Sequence, residues 1–134
     1  MRFQPQNYRE TSFEAPTPGQ CKVTIIDADD KLSKKGADMI ELVCTVNAGQ
    51  KGAGYKLFDY VVDNEWKDSR IGNILLACGK AMPTVDTDIT AEMFKGLTGT
   101  VMLKEEEYQG TKRPKIWYWL TPAEAQKKEN DLPF

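Results

Sequence analysis

Apolar and polar residues alternate along five segments of this 134-residue chain. An alternation with a period of two indicates β-strands, because successive side chains on a strand point to opposite faces. The pattern predicts strands over residues 20–27, 39–46, 55–62, 100–107 and 112–120. The second segment is the clearest, since its inward positions carry only apolar side chains: Ile40, Leu42, Cys44 and Val46.

Helical spacing replaces the alternation between the third and the fourth predicted strand. Four apolar residues there recur at the interval of an amphipathic helix: Ile71, Ile74, Leu75 and Cys78. We expect Asp68 or Ser69 to cap the N-terminus of this helix. A second, shorter helix is predicted to begin at Thr90.

The predicted order is therefore three strands, a helical insertion and a β-hairpin. An OB-fold, which is a five-stranded, partly open Greek-key barrel, fits this order when its helix lies between the third and fourth strands. We predict a mainly β protein with a five-stranded OB-fold barrel and that helical insertion. Residues 1–121 form one domain that includes an extended N-terminal arm, and residues 122–134 form a flexible, disordered C-terminal tail.

Composition and charge narrow the location and the class of partner. No apolar run approaches the ~20 residues of a membrane span, and the N-terminus lacks the apolar core of a signal peptide. We therefore expect a cytoplasmic protein with no membrane contact. The formal net charge is -2, so any nucleic-acid site must be a local basic patch.

The chain lacks the residues that most enzymes use for acid–base or metal chemistry. It contains no histidine, and its three cysteines, Cys21, Cys44 and Cys78, lie too far apart in the sequence for zinc spacing. Consecutive carboxylates such as Glu105, Glu106 and Glu107 would point in opposite directions along a strand. We expect no enzyme activity, no catalytic residue, no metal and no cofactor.

Two of the predicted strands combine cations with aromatic rings on one face. The third strand offers Lys56, Phe58 and Tyr60, and the fifth offers Arg113, Lys115, Trp117 and Trp119. Such a face suits a single-stranded nucleic acid, because phosphates attract cations and unpaired bases stack on flat rings. For every aromatic residue in this set, packing in the core is the alternative.

The loops next to these strands add further cations. In an OB-fold the ligand crosses strands two and three, between the loop after strand one and the loop that joins strands four and five. The first loop supplies Lys34 and Lys35, and the second supplies Lys112. We predict that these cations follow the phosphate backbone, while bases stack on Phe58, Tyr60 and on Trp117 or Trp119.

The last four residues, Asp131-Leu132-Pro133-Phe134, resemble the C-terminal tips of bacterial single-stranded DNA-binding proteins. Those tips place acidic residues before an apolar-Pro-Phe end. The resemblance implies that Asp131, Leu132, Pro133 and Phe134 bind replication or recombination proteins. Lys127 and Lys128 depart from the strongly acidic run that usually precedes such a tip.

A longer pattern covers most of residues 7–120. Ser12-Phe13-Glu14, Pro18-Gly19, Lys56-Leu57-Phe58-Asp59 and the tryptophan-rich last strand together resemble a family of small phage proteins. That family is related to phage single-stranded DNA-binding proteins with OB-folds. The resemblance implies a protein that coats single strands during phage DNA replication or recombination in an infected bacterial cell, without sequence preference.

Two other functional classes compete with this hypothesis. A protein-interaction or assembly module would use the aromatic face to bind a polypeptide, and the near-neutral charge favours it. A hydrolase that uses clustered carboxylates is the weakest alternative, because the chain has no histidine and no convergent site. The sequence leaves the oligomeric state open, and a homo-oligomer is compatible with it.

Overall fold

The computed structural model describes residues 1–2, 4 and 15–122, without the side chain of Tyr108. This part of the chain contains five strands and one α-helix. The mainly β class with five strands is confirmed. The predicted tail lies outside the described residues except for its first, and most of the predicted N-terminal arm lies outside them too. The elements are β1 (Gly19–Leu32), β2 (Asp38–Val46), β3 (Lys56–Val62), α1 (Lys67–Ala77), β4 (Thr98–Tyr108) and β5 (Thr111–Leu120).

The strands form one sheet in the order β3-β2-β1-β4-β5, and every neighbouring pair is antiparallel. The central strand, β1, pairs with β4 through its first half and with β2 through the remainder. The outer strands β3 and β5 also contact each other. The sheet therefore bends strongly enough to bring its two edges together.

Strand β1 continues five residues beyond its predicted end at Asp27. Its last part, Asp29 to Leu32, pairs with Asp38 to Glu41 of β2 and forms an exposed two-stranded arm. The connection between the first two strands is therefore shorter than predicted and comprises residues 33–37. Both faces of this arm meet solvent over most of its length, so its sequence lacks the apolar–polar alternation of a half-buried strand.

The core contains apolar side chains from all five strands, and the predicted inward residues of β2 are buried. Ile74 and Leu75 of α1 and Phe94 complete it. Phe94 belongs to a single 3₁₀ turn, Ala91–Phe94, where a short second helix is predicted. Full burial of a ring this size stabilises the fold by roughly 1.5–3 kcal/mol relative to an exposed ring.

Helix α1 begins at Lys67, one residue before the predicted cap. The side chain of Asn64 accepts a 2.8 Å hydrogen bond from the backbone N–H of Trp66, and this turn starts the helix early. Trp66 is the N-cap residue and makes no side-chain capping bond, so capping by Asp68 or Ser69 is wrong. No helix in the described part of the chain is both long and apolar enough to span a membrane.

Strands β4 and β5 form a hairpin with a two-residue turn. Both turn residues, Gln109 and Gly110, have positive φ (51° and 79°), as the tightest hairpin turns require. The register shifts further along the hairpin, where Met102 faces Tyr118 but Leu103 faces Ile116. Trp117 is thus an extra residue, and a β-bulge at this point reverses the alternation of β5.

Candidate functional site

The outer face of β3 presents one cation and two aromatic rings, as predicted. Lys56, Phe58 and Tyr60 are exposed, with 49% and 43% of the two aromatic residues accessible, while the residues between them point inward. The register places Val43 of β2 opposite Phe58 and Glu41 opposite Tyr60. The β3 patch, which we define as Lys56, Phe58 and Tyr60, therefore continues onto β2.

Glu41 joins the β3 patch to the exposed arm of β1. Its Oε1 accepts a 2.8 Å hydrogen bond from Nζ of Lys31 and forms a salt bridge with it. This bond raises the pKa of Lys31. Burial raises the pKa of the Tyr60 hydroxyl, and the neighbouring charge of Glu41 and a hydrogen bond to it raise that pKa further. The Tyr60 ring therefore stands beside a carboxylate.

The inward side of β3 is fixed by Asp59, the one buried charged residue among those described. Its Oδ1 accepts hydrogen bonds from Nη2 of Arg70 at 2.7 Å and from the backbone N–H of Tyr60 at 2.9 Å. Its Oδ2 accepts a 2.8 Å hydrogen bond from Nε1 of Trp119. A buried carboxylate needs such partners, and here they come from β3 itself, α1 and β5.

Strand β5 presents the second group of cations and an aromatic ring, which we call the β5 patch: Arg113, Lys115 and Trp117. All three are exposed, with Trp117 at 56%. Nζ of Lys104 lies 5.7 Å from the centroid of the Trp117 ring. The Tyr118 ring meets Trp117 edge-on, with 5.0 Å between ring centroids. These contacts hold the Trp117 ring while most of it remains open to solvent.

The predicted common face for the two tryptophans of β5 is wrong. Trp119 is only 4% exposed and faces Val101 across the hairpin, with its indole N–H bound to Asp59. The bulge at Trp117 is the physical reason, because one extra residue shifts every later side chain to the other face. Trp119 is therefore a core residue and offers no surface for stacking, whereas Trp117 does.

The predicted cations differ in how they are paired. Lys115 forms a 3.2 Å salt bridge with Glu106 of β4. The register also places Glu106 opposite Arg113 and Glu107 opposite Lys112. The remaining predicted cations are exposed and form no salt bridge with another described residue: Lys34, Lys35, Lys56, Lys112 and Arg113.

Several residues of the site were not predicted from the sequence. Lys104 contacts Trp117, Glu41 contacts Tyr60 and Glu106 contacts Lys115, each across two paired strands. Their outward positions follow from alternation, but the partner of each depends on the strand register. The predicted tail residues, Asp131, Leu132, Pro133 and Phe134, lie outside the described residues.

A cleft lies between α1, the residues around Ile89, the first residues of β2 and the end of β3. Its charge contrasts with the exposed cations of the β3 and β5 patches. Two lysines, Lys31 and Lys67, line it together with five aspartates, so its charge is negative: Asp30, Asp38, Asp63, Asp68 and Asp88. Such a rim repels phosphates. The described residues contain no group of three or more histidine, cysteine, aspartate or glutamate side chains that could hold a metal ion. The cleft therefore adds nothing to a nucleic-acid site.

No protein-family model matches this chain, and no curated protein is significantly similar to it.

Proposed function

We propose that this chain is a non-catalytic single-stranded DNA-binding protein that acts without sequence preference. The observation that carries the proposal is the exposure of three aromatic rings, Phe58, Tyr60 and Trp117, on strands that also carry cations. Large exposed rings on regular strands leave apolar surface in contact with water, which is unfavourable. A stacked base would cover that surface. Sequence-independent binding follows because every base has a flat face.

In this proposal the bases stack on the β3 and β5 patches, and the exposed cations follow the phosphates. Each stacked base contributes roughly 1–3 kcal/mol, so three rings provide useful affinity together with a few phosphate contacts. Lys56 lies on the same strand as two of the rings, and Arg113 and Lys115 precede the third. Lys34 and Lys35, in the turn between β1 and β2, and Lys112 extend the cationic path.

We further propose that the bent sheet is an OB-fold barrel with α1 inserted between its third and fourth strands. Three observations support this: the strand order, the contact between the outer strands, and the helix that follows β3 in the chain. In that fold the ligand crosses strands two and three between two flanking loops. In the proposed barrel the β3 patch would lie on this path, and Lys34 and Lys35 would belong to the first flanking loop.

The biological role proposed is the coating of single strands during phage DNA replication or recombination. It rests on the resemblance of residues 7–120 to the phage family and of Asp131 to Phe134 to the tips of bacterial single-stranded DNA-binding proteins. The C-terminal residues would recruit replication or recombination enzymes, with Phe134 as the apolar anchor and Asp131 facing a basic rim on the partner.

Titration of tryptophan fluorescence with oligo-dT at two salt concentrations tests the proposal. Stacking on Trp117 should quench the emission, and the affinity should fall as salt rises because binding releases counterions. A Trp117→Phe variant identifies the source, because Trp66 is also exposed, at 64%. Absence of both quenching and salt-sensitive binding in the unmodified chain would exclude the proposed function.

A protein-interaction or assembly module is the second candidate. The balanced charge of the chain favours it, since the net charge is -2 and Lys115 is already paired with Glu106. A polypeptide ligand would also use the exposed rings, but its affinity would not depend on phosphate contacts. The same titration separates the two functions, because only the nucleic-acid ligand quenches Trp117 with a strong salt dependence.

A further inference from the structure

Two glutamates lie within the proposed binding face, where a phosphate-binding surface would normally carry only cations. Glu41 on β2 pairs with Tyr60 in register, and Glu106 on β4 pairs with Arg113. Each glutamate also forms a salt bridge with a lysine. Glu41 pairs with Lys31 at 2.8 Å, and Glu106 pairs with Lys115 of the β5 patch at 3.2 Å. Both carboxylates therefore cancel a charge that a phosphate could otherwise use.

This pairing affects phosphate contacts and stacking contacts differently. A phosphate that approaches Lys31 or Lys115 must displace the carboxylate or accept its repulsion. Stacking on Phe58, Tyr60 or Trp117 requires no such displacement, because the rings stay exposed while the salt bridges are intact. A ligand that offers only closely spaced negative charge loses affinity on this face, whereas a ligand with unpaired bases keeps its main contacts.

We infer that Glu41 and Glu106 are specificity-determining residues that make this face select single strands by their bases. They weaken the binding of polyanions whose bases are absent or already stacked, such as heparin or duplex DNA. The inference rests on the proposed single-strand binding and assigns a discriminating role to these two carboxylates within it.

The two glutamates should not contribute equally. The side chain of Glu41 is 18% exposed, whereas that of Glu106 is 52% exposed. Salt screens exposed charges more than partly buried ones, so the repulsion from Glu41 persists at higher ionic strength. Glu41 is therefore the stronger discriminator near physiological salt, and Glu106 contributes mainly at low salt.

The test compares Glu41→Gln, Glu106→Gln and the double variant with the unmodified chain. Affinities are measured for oligo-dT, for duplex DNA of the same length and for heparin, each at two salt concentrations. Glu92→Gln is the matched control, because it breaks a 3.0 Å salt bridge of the same kind with Lys95, which belongs to neither patch. Circular dichroism verifies that each variant is folded. If Glu41→Gln unfolds, Glu106→Gln still tests whether a glutamate of this face weakens polyanion binding, because it changes an exposed pair.

The double variant should bind duplex DNA and heparin about tenfold more tightly and oligo-dT no more than about threefold more tightly, because released lysines favour every polyanion. Its preference for single strands therefore falls, whereas Glu92→Gln keeps the original preference. An unchanged preference in folded variants, with intact oligo-dT binding by the unmodified chain, overturns the inference and leaves the proposed function standing. Absence of oligo-dT binding by the unmodified chain overturns both.

Discussion

Nε1 of Trp119 donates a 2.8 Å hydrogen bond to Oδ2 of Asp59, and this bond joins β5 to β3, the two outer strands of the sheet. Asp59 lies between Phe58 and Tyr60 in sequence, and Trp119 lies two residues beyond Trp117. The inward bond therefore ties together the two strands whose outer faces carry the exposed rings.

We expect Trp119→Phe to lower the free energy of unfolding without changing the affinity for oligo-dT. The substitution leaves a buried carboxylate oxygen of Asp59 without its donor, which costs about 1–3 kcal/mol. Urea unfolding measures the loss, and Trp117→Phe is the control, because Trp117 is exposed and should change stability by less than about 0.5 kcal/mol. A Trp119→Phe variant as stable as the unmodified chain would contradict the structural role of this bond.

Trp117→Ala should lower the affinity for oligo-dT and leave the free energy of unfolding nearly unchanged. Loss of one stacking platform weakens oligo-dT binding by about 1–3 kcal/mol, which corresponds to about a 5- to 150-fold higher Kd. Fluorescence anisotropy of a labelled oligonucleotide measures the Kd, and urea unfolding verifies that the fold is retained. If the affinity stays constant while stability falls, Trp117 serves the fold and not the ligand.

Replacement of Lys34 and Lys35 by alanine should reduce the salt dependence of binding. Each phosphate contact to a single strand contributes about 0.7 to the slope of log K against log salt, so the double variant should lose about 1.4. Lys80→Ala is the control, since Lys80 is exposed after α1 and belongs to neither patch. Equal slopes for the double variant and the unmodified chain would remove both lysines from the phosphate path.

The stability of the protein should fall as the pH rises from about 9 to about 11. Burial raises the pKa of the Cys44 thiol to about 12 and the pKa of the Cys78 thiol to about 11, against 9.0 for an ordinary cysteine. In this window the unfolded chain binds fewer protons than the native protein, so the free energy of unfolding decreases with pH.

Urea titrations at several pH values measure this slope, and a Cys44→Ala/Cys78→Ala variant should show a shallower one. Tyrosines and lysines titrate in the same range, but they do so in both proteins. Identical slopes in the two proteins would show that the thiols do not contribute.

Deletion of Asp131 to Phe134 should leave the affinity for oligo-dT unchanged or raise it slightly. The same deletion should abolish the binding of purified replication or recombination proteins, because it removes the apolar anchor Phe134 and the charge of Asp131. Phe134→Ala is the sharper variant, since it keeps the length and the charge. Partner binding that survives both changes would refute the recruiting role of these residues.

The elements that were predicted well are those with one buried face. Alternation in β2 and β3 separates core residues such as Leu42 and Leu57 from outward ones because the sheet is covered on one side only. On β3 the alternation places Phe58 and Tyr60 on one face and Leu57 and Val61 on the other, but it leaves open which face is outward. The structure settles this, because Leu57 and Val61 are buried. The extension of β1 to Leu32 was missed because most of its arm lies in solvent on both faces and carries no apolar pattern.

The remaining errors concern relations between strands, which a local pattern cannot contain. The spacing of Trp117 and Trp119 predicts a shared face, but the register with β4 inserts an extra residue and separates them. The pairing of Glu41 with Lys31 and of Glu106 with Lys115 likewise depends on which residues of neighbouring strands lie side by side. These contacts join residues on different strands, so composition and periodicity leave them undetermined.

The bulge at Trp117 divides the β4–β5 hairpin into an inner half, which contributes Val101 and Trp119 to the core, and an outer half that ends at Gln109 and Gly110. The outer half buries Leu103 and Ile116 next to the bulge, and its tip is exposed. A bulge anchors strand register, so changes of length at the tip should be absorbed before they reach the inner half. The tip is therefore a suitable position for a grafted peptide loop or a fluorescent label. Such an insertion would lengthen the exposed end of the hairpin while the interior keeps its packing.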